Sequence, residues 1–236
     1  MLMKKVVEIE SLHFSYPDGT VALRGISLVV HEGENVALMG PNGAGKSTLL
    51  LHLNGIFRGD GSVRIDGLPV EKSTLKTIRQ KVGQVFQNPD DQLFCPTVFE
   101  DVAFGPQNLG LGPEEVQHRV EESLAAVGMQ DAARKSPFRL SFGEKKKVAI
   151  ATVLALRPSV LVIDEPTANL DPRGRKGIIA LLRELGGTQV LATHDLALAR
   201  ELCSRTIVLD AGEKVADGAT LAILEDQRLL EAHGLL

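Results

Sequence analysis

The chain has 236 residues, a length that suits one α/β domain, alone or with a subdomain. Hydrophobic residues make up 44% of it and aromatic residues only 4%, so we predict a sizeable, aliphatic core. The formal net charge of -4, from 26 basic and 30 acidic residues, lacks the basic excess of nucleic-acid-binding proteins, and we expect no nucleic-acid partner.

Cysteine content and apolar runs narrow the class further. Cys95 and Cys203 are too few and too far apart for a metal-spaced cluster or a disulfide framework, which favours a reducing compartment. The N-terminal stretch 1–5 lacks the apolar run of a signal peptide, and no stretch of apolar residues is long enough to span a bilayer. We therefore expect a soluble chain that reaches a membrane only through a partner.

The N-terminal part of the chain is predicted to form strands around one glycine-rich loop. Apolar and polar residues alternate in the first strand, and turn-forming residues end the first two. A short apolar strand then leads through the loop into a helix. In chain order the predicted strands are 6–16, 21–30, 36–39, 62–65 and 81–86, and the helix is 48–53.

The middle of the chain, from about 92 to 140, shows helical spacing and few runs of β-branched residues. Thr97 is placed to cap a helix, and Pro113 starts another with acidic residues in its first turn, as the helix dipole favours. Its apolar face is predicted to comprise Val116, Val120, Leu124 and Val127. We predict a helical subdomain inserted into an α/β core.

The C-terminal part alternates helices and strands, as an α/β protein should. A helix opens at Ser141 and ends by 156, and the apolar run 160–164 predicts a parallel strand that is buried on both faces. The remaining predicted elements are helix 173–185, strand 189–192, helix 195–202, strand 206–209, a small strand at 214–216 and a weak helix ending at 236.

Residues 40–48, Gly-Pro-Asn-Gly-Ala-Gly-Lys-Ser-Thr, fit the phosphate-binding pattern G-x-x-x-x-G-K-[ST]. The glycines let successive N–H groups turn toward the phosphates, and the following helix presents its positive end to them. Lys46 is predicted to reach the β- and γ-phosphates, and the Ser47 hydroxyl to bind Mg²⁺. The predicted nucleotide contacts of this loop are Gly40, Pro41, Asn42, Gly43, Ala44, Gly45, Lys46, Ser47 and Thr48. A chance match in a glycine-rich turn is the alternative, which the flanking strand and helix disfavour.

Two later segments carry the chemistry that such a loop needs. Asp164 and Glu165 end the buried strand, where α/β sheets place their ligand sites. We expect Asp164 to hold Mg²⁺ through water, and Glu165 to orient or deprotonate the attacking water. Ser141 opens a helix whose first turn, with Gly143 and Glu144, is a second potential phosphate-binding site.

In this order the motifs resemble the nucleotide-binding subunit of an ATP-binding cassette (ABC) transporter, across nearly the whole chain. The matching segments are Walker A (40–48), the Q-loop glutamine Gln87, the signature L-S-G-G-Q (140–144), Walker B (160–165), the D-loop (168–171) and the switch histidine His194. Tyr16 matches the aromatic residue that stacks on adenine.

The resemblance implies a P-loop NTPase fold of the ABC type, with ATP and Mg²⁺ as cofactors. The fold would have a mostly parallel core sheet, an N-terminal antiparallel β subdomain and an inserted helical subdomain. A single domain, 1–236, would divide into a core of about 1–91 and 158–236 and a helical part of about 92–157.

The family's roles carry over to matching positions. Lys46, Glu165 and His194 would be catalytic, Ser47, Gln87 and Asp164 would be placed at Mg²⁺, and Tyr16 and Gln87 would contact the nucleotide. ATP would bridge two subunits, with the P-loop from one and Ser141, Gly143 and Glu144 from the other. In this family ATP closes the pair and hydrolysis lets it open.

Residues 87–94, 97–98 and 100–106 resemble the energy-coupling-factor ATPases, and 141–151 further resembles their cobalt-type members. This implies an importer subunit at the cytoplasmic face of the membrane, partnered by integral membrane subunits and by a second ATPase subunit, the same chain or a related one. The solute would be a vitamin or a transition metal ion, such as cobalt; the sequence does not identify it.

The chain departs from the family pattern at two places. Phe142 replaces the first signature glycine, and the end at Leu236 leads us to expect few dimer contacts without nucleotide. The charged residues near the signature and the Q-loop allow simpler interpretations. We interpret Lys145, Lys146 and Lys147 as a solvated helix face.

Asp90 and Asp91 either shape their loop or meet a basic residue of the membrane partner. Rival functions are a soluble ABC ATPase of DNA repair or translation, which usually has coiled coils or tandem cassettes, and a P-loop kinase or GTPase.

Overall fold

The computed structural model describes residues 3–236, so Met1 and Leu2 of the predicted domain lie outside the described part. The strands in this part are β1 Lys5–Ser15, β2 Val21–His31, β3 Asn35–Met39, β4 Asp60–Ile65, β5 Leu68–Pro69, β6 Val82–Val85, β7 Val160–Asp164, β8 Gln189–Ala192, β9 Arg205–Asp210 and β10 Glu213–Ala219. The α-helices are α1 Lys46–Leu53, α2 Leu75–Lys81, α3 Val98–Asn108, α4 Pro113–Ala126, α5 Phe142–Leu154, α6 Pro172–Leu185, α7 Leu196–Leu202, α8 Thr220–Glu225 and α9 Gln227–Ala232. None of these helices is long and apolar enough to cross a bilayer.

Two sheets form the framework. The first is antiparallel, with the strand order β2-β1-β4-β5. The second has six strands in the order β10-β9-β3-β8-β7-β6, and all of its neighbours pair in parallel except β10 with β9. The predicted α/β fold, with a mostly parallel core sheet and an N-terminal antiparallel sheet, is confirmed.

Helix α1 fills the space between the two sheets. Its residues Leu49, Leu50 and Leu53 are buried in one apolar cluster with side chains from β1 and β3. This burial fixes the helix that follows the glycine-rich loop, since apolar surface removed from water is the main source of packing energy.

Helices α3, α4 and α5 pack on one another and form the predicted helical region. Thr97 caps α3 in a full capping box with Glu100, and the four predicted apolar residues of the α4 segment are all buried. The exact limits of a core and a helical subdomain stay a prediction.

Three details differ from the sequence-based expectation. Helix α2 was not predicted, because it is seven residues long and buries only Ile78; the strand expected at 81–86 begins after it. The short strand β5 was also missed. The C-terminal segment forms two short helices instead of one, because the Asp226 side chain accepts a hydrogen bond from Leu229 N and caps a new helix.

Asp66, in the turn between β4 and β5, joins the antiparallel sheet to the core. Its carboxylate accepts hydrogen bonds from Lys81 Nζ at 2.7 Å and Ser159 Oγ at 2.7 Å, and Lys4 Nζ lies at 2.9 Å. Burial acts to raise the pKa of Asp66, but these donors outweigh it and lower the pKa from 3.8 to about 2.

We predict that Asp66→Asn lowers the free energy of unfolding by about 2 kcal/mol at neutral pH, because a depressed carboxyl pKa stabilises the folded state above the unfolded pKa. This stabilisation is lost as the pH falls toward 2, so the difference from the wild type should narrow by about 1 kcal/mol at pH 3. Urea unfolding at both pH values measures it, with Asp60→Asn as the exposed control. A difference that does not change with pH would contradict the assigned cause.

Candidate active site

The predicted site residues follow the carboxyl ends of four adjacent parallel strands. In the spatial order β3-β8-β7-β6, these ends lead into the glycine-rich loop, His194, the Asp164–Glu165 pair and Gln87. Parallel strands place their carboxyl ends at one edge of the sheet, where ligand sites of α/β proteins form.

A cavity of about 400 Å³ lies at this edge. It is lined by Tyr16, Thr20, Val21, Ala22, Asn42, Gly43, Gly45, Lys46, Ser47, Thr48, Gln87, Asp164, Glu165 and His194. Most of the predicted P-loop residues therefore meet Tyr16, Gln87, the acidic pair and the histidine here. Gly40, Pro41 and Ala44 do not line the cavity.

The glycine-rich loop needs its glycines for space as well as for backbone conformation. Gly40 has φ of 151°, and a Cβ there would lie 2.1 Å from Leu209 O. Gly45 has φ of 99°, and a Cβ there would lie 2.7 Å from Ala22 O. Any side chain at these positions would force the loop away from its neighbours.

The Lys46 ammonium is held on the loop by its own backbone. Nζ donates to Gly40 O at 2.7 Å and to Pro41 O at 2.9 Å, and the residue is buried. Burial lowers the pKa of Lys46, while the charges of Glu165 and Asp164 oppose that shift. A cation is thus kept inside the cavity and faces two acidic side chains.

Asp164 is the buried last residue of β7. Burial raises its pKa, and a hydrogen bond with the Ser47 hydroxyl acts in the opposite direction. A carboxylate and a hydroxyl in contact offer the hard oxygen ligands that Mg²⁺ prefers, and the Gln87 amide lines the same cavity. The three predicted metal-binding side chains therefore fit this ion.

Glu165 and His194 form a pair that the sequence did not reveal. His194 Nδ1 lies 2.8 Å from Glu165 Oε1, and Thr193 Oγ1 donates to Glu165 Oε2 at 3.4 Å. Glu165 is 7% exposed and has φ of 44°, a left-handed conformation that non-glycine residues rarely adopt. The strained backbone and the histidine together hold the carboxylate in one orientation, as a general base requires.

Tyr16 is anchored to the start of α1. Its hydroxyl forms a hydrogen bond of 2.6 Å with Thr48 Oγ1. The ring makes edge contacts with Phe14 and Phe57, with centroid distances of 5.2 and 5.7 Å. The packing holds the phenol ring at the cavity wall.

The signature residues lie elsewhere. Ser141, Gly143 and Glu144 line a second groove of about 430 Å³, together with the D-loop residues 169–171. Ser141 caps α5, and its hydroxyl donates to Glu144 Oε2 at 2.7 Å. The hydrogen bonds from Ser141 lower the pKa of Glu144, and the groove also contains Asp171, Lys147 and Arg173, so side chains of both charges line it. Within one chain, these residues do not meet the P-loop.

The interpretation of Lys145, Lys146 and Lys147 as a solvated face was wrong for Lys146. Its side chain is fully buried, and burial lowers its pKa to about 8. Lys145 Nζ is also engaged, in an ion pair of 2.6 Å with Asp90 Oδ1. Helical spacing in the sequence could have indicated that Lys146 is buried. Lys146 precedes the buried Ala149, Ile150 and Val153 by three, four and seven residues and therefore lies on the same helix face.

Comparison with known proteins decides the family. The family model described as ABC transporter matches residues 23–168, more than half of the chain. The chain belongs to the ABC transporter family. It is an ABC ATPase, and this membership excludes the rival prediction of a P-loop kinase or GTPase.

Individual ABC proteins resemble the chain over nearly its full length. The energy-coupling factor transporter ATP-binding protein EcfA of Methanothermobacter thermautotrophicus is 53% identical over 236 residues, which cover 98% of this chain and 76% of EcfA. The structure of cbiO1 from Clostridium perfringens, part of the ABC transporter complex cbiONQ, is 38% identical with a TM-score of 0.85 and coverage of 98% and 95%. The dimeric ATP-binding cassette MJ0796 bound to ADP and Pi is 32% identical, with a TM-score of 0.80 and coverage of 91% and 98%.

Tyr16 provides a direct optical test of base stacking, because the chain has one tyrosine and no tryptophan. We expect MgATP to quench the tyrosine emission. Tyr16→Ala should weaken ATP binding about tenfold, in line with roughly 1–3 kcal/mol for one base on an aromatic ring. Tyr16→Phe keeps the ring and should stay within about threefold of the wild type. Calorimetric titration measures both variants, and equal affinity of Tyr16→Ala and the wild type would contradict stacking.

Proposed function

We propose that this ABC ATPase is the ATP-hydrolysing subunit of an energy-coupling-factor type importer, bound to integral membrane subunits at the cytoplasmic face of the membrane. The observation that carries this proposal is the 53% identity with EcfA, which extends over 98% of the chain. The likeness to cbiO1, a component of a transporter complex, supports it. The soluble ABC ATPase of DNA repair or translation stays the alternative, and it has no comparable support.

The separation of the two grooves supports a composite site. The cavity with Lys46 and the groove with Ser141 belong to different parts of one chain, so a nucleotide held by both needs a second ATPase subunit. The dimer structure of MJ0796 supports this arrangement. The second subunit is the same chain or a related one.

Within the composite site, each side chain has a role that its surroundings suit. Lys46 and the loop N–H groups would hold the phosphates, and Ser141 and Gly143 of the second subunit would close on the γ-phosphate. Glu165, oriented by His194, would take a proton from the water that attacks the γ-phosphorus as the bond to ADP breaks. Mg²⁺, held by Ser47, Asp164 and Gln87, would supply positive charge to the phosphate oxygens.

A surface beside the Gln87 loop suits the membrane partner. Phe94 is 61% and Phe104 is 48% exposed, and their rings meet edge to face at 5.0 Å. Aromatic side chains are enriched at protein–protein interfaces relative to the rest of the surface, which supports a contact here. Leu93 and Val98, two other apolar residues of the same segment, are buried and do not belong to this surface. Asp90 pairs with Lys145, which favours the interpretation that it shapes its own loop.

A transition metal ion such as cobalt is our proposed solute, because residues 141–151 resemble the cobalt-type members of the group. Uptake of labelled Co²⁺ by vesicles containing the co-purified complex tests this assignment separately from ATPase function.

Lys46 and Glu165 should separate binding from chemistry. Lys46→Ala removes a charge-assisted phosphate contact, so nucleotide affinity and turnover should both fall. Glu165→Gln keeps the shape but removes the base, so it should bind MgATP normally and hydrolyse it at least about a hundredfold more slowly. Phosphate release and nucleotide titration measure the two effects. Normal turnover of Glu165→Gln would show that another group activates the water.

The aromatic pair should be needed for the membrane complex and not for nucleotide binding. We expect Phe94→Ser combined with Phe104→Ser to reduce co-purification with membrane subunits at least tenfold, because buried aromatic anchors dominate interface energies. ATP affinity should stay within twofold. Phe138→Ser, which removes an aromatic ring that is 70% exposed and does not belong to the Phe94–Phe104 pair, is the control. An undiminished complex in the double variant would place the contact elsewhere.

A further inference from the structure

The loop that carries Gln87 is fastened to helix α5 by a buried lysine. Lys146 Nζ donates to Gln87 O at 2.6 Å and approaches Phe86 O at 3.5 Å. The Lys146 side chain is fully buried, and within residues 3–236 no carboxylate oxygen lies within 4.0 Å of its ammonium. Its hydrogen-bond acceptors are therefore backbone carbonyl groups of a single loop, while the charges of Asp164 and Glu165 act on it from beyond contact distance.

A second side chain ties the same loop to the same helix. Gln92 Oε1 accepts from Phe86 N at 3.1 Å, while its amide donates to Ala149 O and Thr152 Oγ1, both at 2.8 Å. The loop is thus bound to α5 near both of its ends. The loop therefore lies between strand β6, which belongs to the six-stranded core sheet, and helix α5, to which its side chains bind.

Burying the ammonium group of Lys146 costs free energy that an apolar residue at this position would not cost. A buried ammonium without a carboxylate partner loses hydration that two carbonyl groups replace only in part. The surrounding face of α5 is apolar, with Ala149 and Ile150 also buried, so an apolar side chain would pack there without that loss. What the lysine adds is a directed bond to the backbone of Gln87.

We propose that Lys146 is a positioning residue that makes the Gln87 loop a rigid extension of α5, so that Gln87 approaches its own P-loop in the same motion that brings the signature Ser141 to the P-loop of the second subunit. The roles of Gln87 and Ser141 in this statement rest on the proposed function. Lys146 itself does not line the nucleotide cavity and acts only through the loop.

Loss of Lys146 should affect ATP hydrolysis more strongly than nucleotide binding. The P-loop and Tyr16 belong to the core and do not depend on Lys146, so nucleotide capture should survive its loss. Turnover should fall, because it needs Gln87 at the phosphates of its own P-loop and Ser141 at those of the second subunit in one motion. A loop held to α5 by Gln92 alone takes up that geometry only part of the time.

The test compares Lys146→Met, Lys146→Gln and the exposed Lys176→Met as a matched charge control. For Lys146→Met we expect kcat at least tenfold lower, KM for ATP within threefold, and amide hydrogen exchange at least tenfold faster in residues 86–92 alone. Lys146→Gln keeps an N–H donor on a side chain that is one bond shorter. Its kcat, and the protection of amides 86–92 from hydrogen exchange, should therefore lie between those of Lys146→Met and the wild type. Lys176→Met should match the wild type.

Three results would overturn the proposal: unchanged exchange in 86–92, a raised KM with unchanged kcat, or Lys146→Gln no better than Lys146→Met. If Lys146→Met does not fold, Lys146→Gln decides: exchange at least threefold faster and confined to 86–92 supports the proposal, and no increase or a uniform one overturns it. If the wild type does not hydrolyse ATP, the proposed function fails, while the exchange comparison still decides whether Lys146 fastens the loop.

Discussion

The parallel register of β3, β8, β7 and β6 is the constraint on which the site depends. Each of these strands ends at the same edge of the sheet and delivers one functional segment there. A shift of one residue would move a segment by about 3.3 Å and turn its side chains to the opposite face. The register is strongly specified because β7 is buried along its whole length and its residues 160–163 are apolar, so a shift would replace some of them by polar neighbours inside the sheet.

Electrostatics at this edge are balanced between buried charges of both signs. Burial acts against the charged forms of Lys46, Lys146 and Asp164, and the mutual attraction of the lysines and the two carboxylates acts for them. A bound triphosphate would add its negative charge to that of the two carboxylates. The buried lysines of the protein, with Mg²⁺ as the proposed second source of positive charge, would offset that negative charge.

Helix α5 links the two halves of the proposed composite site. Its first turn lies in the groove of Ser141 and Glu144, and the following turns hold the loop of Gln87. The same helix packs against α3, which carries the exposed Phe104. A membrane partner seated at that ring would therefore be one helix away from the groups that we propose to contact the phosphates in both composite sites.

The sequence by itself determined the features that are written in short, local patterns: the P-loop, the buried strand β7, the capped starts of α3 and α5 and the apolar face of α4. Spacing and turn chemistry fix such features within one element. Only the tertiary structure decided that Lys146 is buried, that Tyr16 is bonded to Thr48, and that His194 orients Glu165. These contacts join residues 29 to 59 positions apart, and the periodicity of one element does not say which side chain of another element it will meet.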